Sequence, residues 1–461
     1  MKRSMRTTPE QILNGRILPT LLKLSVPSII AFTFHTTFNF VDRLFVSRLG
    51  AVELGALGMA FTVQSILLAI GAGTGIGTSS LIARYIGAGK LQRANAAAEH
   101  TLLIIVVLSA IMTAAGPPLA RPLFVLLGAS EEMMPYILDY IRIILFGSLF
   151  QFFAMIGNGI MRGEGNTVTP MQVMIIGTVV NIILDPLLIF GIGPFPAMGV
   201  QGAALATVIG RAVSCVFLGV SLFNPSNVVI PKLKEFRFDP SIVRGIFGVG
   251  GPTIVAQLSN SLGLSLLFIL LRPYGDMAKS AFTLGFTYQQ VAVLPLLGIA
   301  QGTLTMTGQN FGARNLDRVR GVIRQALLFS TGLMTLFALI MIGARGGLVR
   351  VFSDLREVIR IGRTMLLIFA LGFPFLAGRI ILTSFFQGLG MGLRGLFLNF
   401  SYIILFALPL ALLLSRPFGL EGIWSGLVLG NLGSSLVGLL WAIRTARRLE
   451  SYAAVGGGAR R

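Results

Sequence analysis

Residues 85–93 read YIGAGKLQR, and residues 310–318 read NFGARNLDR. Gly87, Ala88, Leu91 and Arg93 of the first stretch recur as Gly312, Ala313, Leu316 and Arg318 of the second, each 225 positions on. The same offset carries Pro27 onto Pro252, and Gly163 and Gly165 onto Gly388 and Gly390. GVQG at 199–202 returns as GLEG at 419–422 after a small deletion. One such match would be noise in a chain with 56 glycines; several in one order at one offset mark an internal duplication.

The duplicated unit is built of apolar runs. The chain is 54% hydrophobic and 12% charged, where a soluble domain carries about 25% charged residues. Runs long enough to cross a hydrocarbon core of roughly 30 Å recur from end to end. They predict about twelve spans, at 18–42, 54–83, 95–116, 134–156, 168–192, 199–222, 241–271, 280–309, 320–344, 358–383, 393–414 and 420–443. Six spans per unit is an even number, so the second unit starts on the side where the first began. The fold class is therefore an all-α polytopic membrane protein, two parallel six-helix lobes around a central cavity. The expected division is an N-terminal segment 1–17, a lobe over 18–222, a connecting loop 223–240, a second lobe over 241–443 and a basic tail 444–461.

The net charge of +20 would suggest nucleic acid in a soluble protein. Here the basic residues lie in short loops, where they orient the chain and meet anionic headgroups, so lipid rather than nucleic acid is the expected contact. Lys2, Arg3, Arg6, Arg16, Arg84, Lys90, Arg93, Lys232, Lys234, Arg237, Arg314, Arg318, Arg320, Arg444, Arg447 and Arg448 fall on one side if the span count is even. Both termini are then cytoplasmic and the protein sits in the plasma membrane. The other side is less tidy: ASEEMMPY is acidic, but 345–360 carries Arg345, Arg350, Arg356 and Arg360. MKRSMRTTPEQILNGR lacks a small-residue cleavage site and reads as a cytoplasmic leader into a retained helix. A single cysteine, Cys215, excludes an intrachain disulfide, and His35 and His100 alone make no zinc site. No cofactor is expected, and nothing requires more than a monomer.

Charged residues inside spans are functional candidates, since a carboxylate at the bilayer centre costs roughly 2.5–3.5 kcal/mol on insertion scales. Asp42 ends the first span and Asp185 stands inside VVNIILDPLLIF, 179–190. Asp139 lies near a span start and reads as interfacial. The repeat position of Asp42 is Leu267, and that of Asp185 falls in IILFALPLAL, without an acid. The frame is shared and the carboxylates are not, which places ion chemistry in the N-terminal lobe. Asn181, four residues before Asp185, shares its helical face. Pro186 removes a donor and favours a kink that frees a carbonyl. Thr207 and Asn158 would add a hydroxyl and an amide. Such oxygens suit a small hard cation such as Na⁺, and equally a protonatable carboxyl. Each has a plainer alternative: Asp42 with Arg43 as an interfacial salt bridge, Asn181 as an interhelical hydrogen bond.

The paired Gly-Ala loops, the two sixes of spans and Asp42 in FNFVDRLFVSRLG (38–50) together resemble the MATE multidrug and toxin extrusion transporters, from Pro27 to about Arg444. The resemblance implies, in the family's DinF-type branch, a coupling-ion site at Asp42, Asn181 and Asp185, with Thr207 and Asn158 as further members and Tyr140 lining the same network. It implies first-span bending at Pro27. NorM-type relatives place acids in the second half, where this chain has Gln257, Ser259 and Asn260. His35, Met155 and Met174 are cavity candidates, Met161 and Met171 weaker ones, against packing as the alternative.

The expected activity, taken from that resemblance, is H⁺- or Na⁺-coupled export of amphipathic, often cationic, drug-like small molecules. No GxxxxGK[ST] is present, so the energy would come from an ion gradient. The rivals are a lipid-linked saccharide flippase of the same superfamily and a membrane-embedded enzyme using Asp42 and Asp185 as an acid–base pair. The second has neither DDxxD nor GxGD to support it, and a two-lobe repeat serves no purpose in hydrolysis.

Overall fold

A computed structural model describes residues 6–46, 48–351 and 355–457, without the side chains of 38–44 and 448–457. Every regular element among the described residues is helical. A short α1 (Pro9–Asn14) leads into α2 (Ile17–Val46), α3 (Ala51–Gly87), α4 (Leu91–Leu126), α5 (Met134–Phe146), α6 (Ser148–Glu164), α7 (Val168–Phe190) and α8 (Gly199–Leu222). The second half comprises α9 (Pro240–Leu270), α10 (Gly275–Gly312), α11 (Leu316–Arg350), α12 (Arg356–Gly388), α13 (Gly392–Phe400), a π-helical stretch at Ser401–Ala407 and α14 (Leu408–Gly457).

Among the described residues, ten helices are long and apolar enough to cross a membrane. Large aliphatic side chains remain exposed along them, Val220 at 74% and Leu339 at 63% among them, as a hydrocarbon solvent requires. The fourth span, expected as one run over 134–156, is instead a pair of helices, α5 and α6, bent by 53°. The bend falls at Gly147, where an added Cβ would lie 2.8 Å from Val208 Cγ1 of α8. Its sequence signature is one glycine in an apolar run, which hydropathy cannot separate from packing. The longest candidate, Gly392–Arg447, breaks at Gly419, with φ 55° and ψ −130°. With that break and the bent pair, twelve crossings are accounted for.

The repeated loops close their helices by the same device. After α3, Lys90 N–H donates to Tyr85 C=O at 2.9 Å with Gly89 at φ 70°. After α10, Asn315 N–H donates to Asn310 C=O at 2.9 Å with Arg314 at φ 58°. Gly165 and Gly390 end α6 and α12 likewise, at φ 96° and 80°. These are left-handed C-terminal caps, in which a residue of positive φ lets the next N–H satisfy a carbonyl of the last turn.

The chain forms two compact units, Met1–Thr8 with Ile30–Ile254 and Pro9–Ile29 with Val255–Arg461. The divisions fall inside α2 and α9, two residues after Pro27 and Pro252, rather than in the 223–240 connection. Within the first unit, the start of α9 packs on Gly73 and Gly77 of α3: a Cβ at Gly77 would lie 2.9 Å from Gly250 N. Within the second, the start of α2 packs on Gly298 and Gly302 of α10, where a Cβ at Gly298 would lie 2.8 Å from Ser25 C=O. Gly73 and Gly77 map onto Gly298 and Gly302 at the repeat offset, so a duplicated small-xxx-small face receives a half-helix in each unit.

The loop arginines complete this docking. Arg93 Nη1 pairs with Asp239 Oδ2 at 3.2 Å, just before α9. Its repeat partner Arg318 donates from Nε to Ile12 C=O at 3.0 Å and from Nη2 to Gly15 C=O, just before α2. The 223–240 connection is itself held by side-chain acceptors: Glu164 Oε2 takes Val228 and Val229 N–H at 3.1 Å, Asn95 Oδ1 takes Ile230 N–H, and Glu99 Oε1 takes Lys232 N–H. Buried His100 accepts from Asp239 N–H on Nε2 at 2.8 Å and bonds Ala96 C=O through Nδ1. That histidine is therefore an anchor of the connection. Cys215 is a half-buried thiol.

Candidate functional site

Small residues bring α7 against α8. A Cβ on Gly210 would lie 2.7 Å from Gly177 C=O and 3.1 Å from Asn181 Cβ, and Ser214 Oγ donates to Val173 C=O at 3.0 Å. Without lipid-phase hydrophobic drive, such close backbone approach is what joins membrane helices. It seals Asn181, 3% exposed, and Asp185, fully buried, at the interface. Asn181 Nδ2 donates to Asp185 Oδ1 at 3.2 Å, the i,i+4 contact that the sequence pattern anticipates.

Thr207 on α8 is 7% exposed and gives its hydroxyl proton to Ala203 C=O at 3.0 Å, leaving its oxygen lone pairs as acceptors. Asn158 on α6 is 3% exposed. Close contact between Gly159 and the Gly75 carbonyl holds that part of α6 on α3. The Oδ1 atoms of Asn158 and Asn181 are buried without a hydrogen-bond partner among the described residues. Two orphaned amide oxygens in one unit are costly, and oxygens of this kind coordinate hard cations or accept from a protonated carboxyl. Among the described residues, no three His, Cys, Asp or Glu side chains gather as a metal cluster.

The side chain of Asp42 lies outside the described residues. Tyr140 on α5 is 5% exposed and its hydroxyl accepts from Gln64 Nε2 of α3. His35 and Pro27 are half-buried on α2, and Met174 is half-buried on α7. Met155 packs its side chain on Gly71, which favours a packing role. Asp139 stands apart, half-buried, accepting from Gln201 Nε2 at 2.9 Å.

Two groups escaped the sequence reading. Arg211 on α8 donates to Gln151 Oε1 of α6 at 3.0 Å, one turn beyond Thr207. Arg379 on α12 bonds Asn431 Oδ1 and Asn399 Oδ1 at 2.9 and 2.7 Å. Both are arginines inside spans, and that was the available signal; attention to carboxylates alone passed over them.

A family model described as MatE matches residues 27–187 and again 252–413, its two starts separated by the repeat offset of 225. The FAD transporter of Shewanella oneidensis is 29% identical over 425 residues, 91% of this chain and 93% of that protein. The probable multidrug resistance protein NorM of Thermotoga maritima is 27% identical over 434 residues, 91% of each. A solved outward-facing structure of a multidrug resistance MATE family transporter of the MOP superfamily superposes with a TM-score of 0.91 at 29% identity, covering 97% of this chain and 99% of that one. The duplicated six-helix halves and the two family matches share one register: this chain belongs to the MatE family of multi-span membrane transporters.

Proposed function

We propose that this protein is a secondary active multidrug exporter of the plasma membrane, both termini cytoplasmic, working as a monomer. It moves amphipathic, often cationic organic compounds outward in exchange for H⁺ or Na⁺. The observation that carries the reading is the sealed Asn181–Asp185 pair on α7 with orphaned amide oxygens at Asn181 and Asn158. A carboxylate at that depth is tolerated where it changes state during the cycle.

The chemistry is competition. An ionised Asp185 favours a cationic cargo in the N-terminal unit. Protonation, or a sodium ion held by Asp185, Asn181, Thr207 and Asn158 oxygens, removes that charge and disfavours the cargo-bound state. Coupling of this kind needs differential affinity between the two states, and a titrating or cation-binding carboxylate supplies it. Asp42, on the same unit's first helix, is assigned to the same site. Pro27, where α2 passes between units, is assigned the bend that accompanies occupancy. The Shewanella and Thermotoga relatives differ in cargo by name, so similarity at this level supports transport more firmly than any one substrate.

The test is efflux of a fluorescent cationic dye from proteoliposomes under a pH gradient or a sodium gradient imposed separately. One gradient should drive dye uphill with wild type and fail with Asp185→Asn. Uphill movement by a folded Asp185→Asn protein at the wild-type rate would sink the proposed coupling site.

A further inference from the structure

The arginines around 345–360, which break the charge pattern expected of the outer side, meet at one cavity of the C-terminal unit. Arg345 stands near the end of α11, and Arg356, Arg360 and Arg363 on the first turns of α12. Spacings of four, three and four residues put Arg356, Arg360, Arg363 and Leu367 on one stripe of α12. All of these line the cavity, as do Gly343 and Gly346 of α11, and among the described residues no acid does. About 610 Å³ is open there to the centre of a water molecule. One water takes roughly 10–15 Å³ by that measure, so a whole polar headgroup fits.

Most of this charge is not balanced. Arg360 pairs with Glu357 at 2.6 Å, on the exposed side of α12. Arg345 Nη1 donates to Ile342 C=O at 3.2 Å, and Arg345, Arg356 and Arg363 form no ion pair with a described residue. Asp354 lies outside the described residues; even with it, 342–367 carries five arginines against two acids. Arg363 lies half-buried against bare backbone: a Cβ on Gly346 would stand 3.2 Å from its Nη2 and 3.6 Å from its Cζ. Its Nε is buried without a hydrogen-bond partner among the described residues. Gly343, one turn earlier on α11, has open space where a side chain would stand.

Interfacial arginines commonly reach along a lipid-facing surface to whatever headgroup is near. That would account for the exposed Arg350, Arg356 and Arg360. It does not account for a cavity lined from two helices, with Arg363 held over glycine backbone and its Nε unpaired. The cavity is also graded. Ile342 and Leu367 line it deeper along their spans than Arg345 and Arg363, so its cationic end faces the headgroups and its aliphatic end the acyl chains. We propose that α11 and α12 form an outer-leaflet binding site for an anionic phospholipid, its phosphate held by Arg345, Arg356 and Arg363 and its chains leaving past Ile342 and Leu367. The leaflet rests on the orientation proposed above, with both termini cytoplasmic; the site itself does not. Guanidinium meets phosphate through a planar fork of charge-assisted hydrogen bonds, about twice as strong as neutral ones.

The test is native mass spectrometry of the full chain released from neutral detergent. The protein is titrated with dioleoyl phosphatidylglycerol or with dioleoyl phosphatidylcholine, whose phosphate carries its own counter-charge. Wild type should retain one phosphatidylglycerol with a preference of about tenfold or more. Arg345→Gln with Arg363→Gln should abolish that preference. Lys90→Gln with Lys234→Gln, which removes the same charge from exposed lysines of the N-terminal unit, should keep it. Gly343→Glu sets a carboxylate in the cavity and leaves every arginine in place; it should abolish the preference too, and serves where the double arginine variant does not fold. Equal wild-type affinity for the two lipids overturns the proposal, as does a preference that survives in folded Gly343→Glu or is lost equally in the lysine variant. Excess inorganic phosphate should leave the lipid bound; displacement by it would overturn a lipid as the source and give the arginines to free phosphate. The readout needs no gradient. Lipid preference without driven dye efflux would retire the antiport reading alone; driven efflux without preference would retire the lipid site alone.

Discussion

Asn181 and Asp185 stand one turn apart on α7, and the amide of the first donates to the carboxylate of the second across 3.2 Å at a face closed by Gly177 and Gly210. The bond spends one carboxylate oxygen on a neutral donor and keeps the side chain in a fixed rotamer. Replacing Asp185 with Asn keeps shape and removes charge. Gradient-driven efflux should drop by about tenfold or more, the loss expected when the differential affinity of two states disappears. Asn181→Ala should retain driven efflux with a weaker ion dependence, measured as a higher half-saturating proton or sodium concentration.

The half-helix docking predicts matched damage in both units. Gly77→Ala places a methyl 2.9 Å from Gly250 N, and Gly298→Ala places one 2.8 Å from Ser25 C=O. Neither backbone can yield as a flexible side-chain end would. Each substitution should cost about 1–3 kcal/mol by overpacking, read as a lower thermal midpoint, while Gly58→Ala, with open space around it, should be close to neutral.

Arg314 is the single non-glycine residue of positive φ among the described residues, and Gly89 fills the same place in the first half. A side chain there costs about 1–2 kcal/mol against the left-handed backbone. Arg314→Gly should therefore raise the thermal midpoint, net of the glycine's own entropy. Gly89→Arg should lower it.

The 223–240 connection should loosen when its acceptors are removed. Glu164→Ala leaves Val228 and Val229 N–H without an acceptor, a loss of about 1–3 kcal/mol. Hydrogen exchange at residues 228–232 should quicken while α12 and α14 stay protected.

Acid should act on the same connection through Asp239. The Ser241 hydroxyl and N–H, with Arg93 nearby, hold its carboxyl below the usual carboxylate range. A depressed folded value means that the contribution is present above the unfolded value of about 3.9 and is lost as pH falls through the folded one. Asp239→Asn should thus lower the thermal midpoint at pH 7, and the gap to wild type should narrow as pH falls through the depressed folded value. A gap that stays constant with acidification would show that the charge is irrelevant to docking.

The Asn181–Asp185 contact was legible because its signal is local: a carboxylate in an apolar run, with an amide four residues earlier, needs only helical periodicity to be placed on one face. The bend at Gly147 and the partners of Tyr140, Arg211 and Arg379 were not legible. Each depends on which helix lies opposite, and one apolar helix face resembles another in sequence.

Composition and the 225-residue offset by themselves determined that this is a membrane protein of twelve crossings in two repeated halves, because apolar length and residue identity are properties of the chain alone. Only the tertiary structure decided that α2 and α9 each divide between the two compact units, because the Gly73/Gly77 and Gly298/Gly302 faces acquire meaning when a particular helix comes so near that a Cβ there would collide with it. It alone placed Arg379 against Asn399, Asn431 and Tyr402, since a charge inside a span meets neighbours far away in sequence.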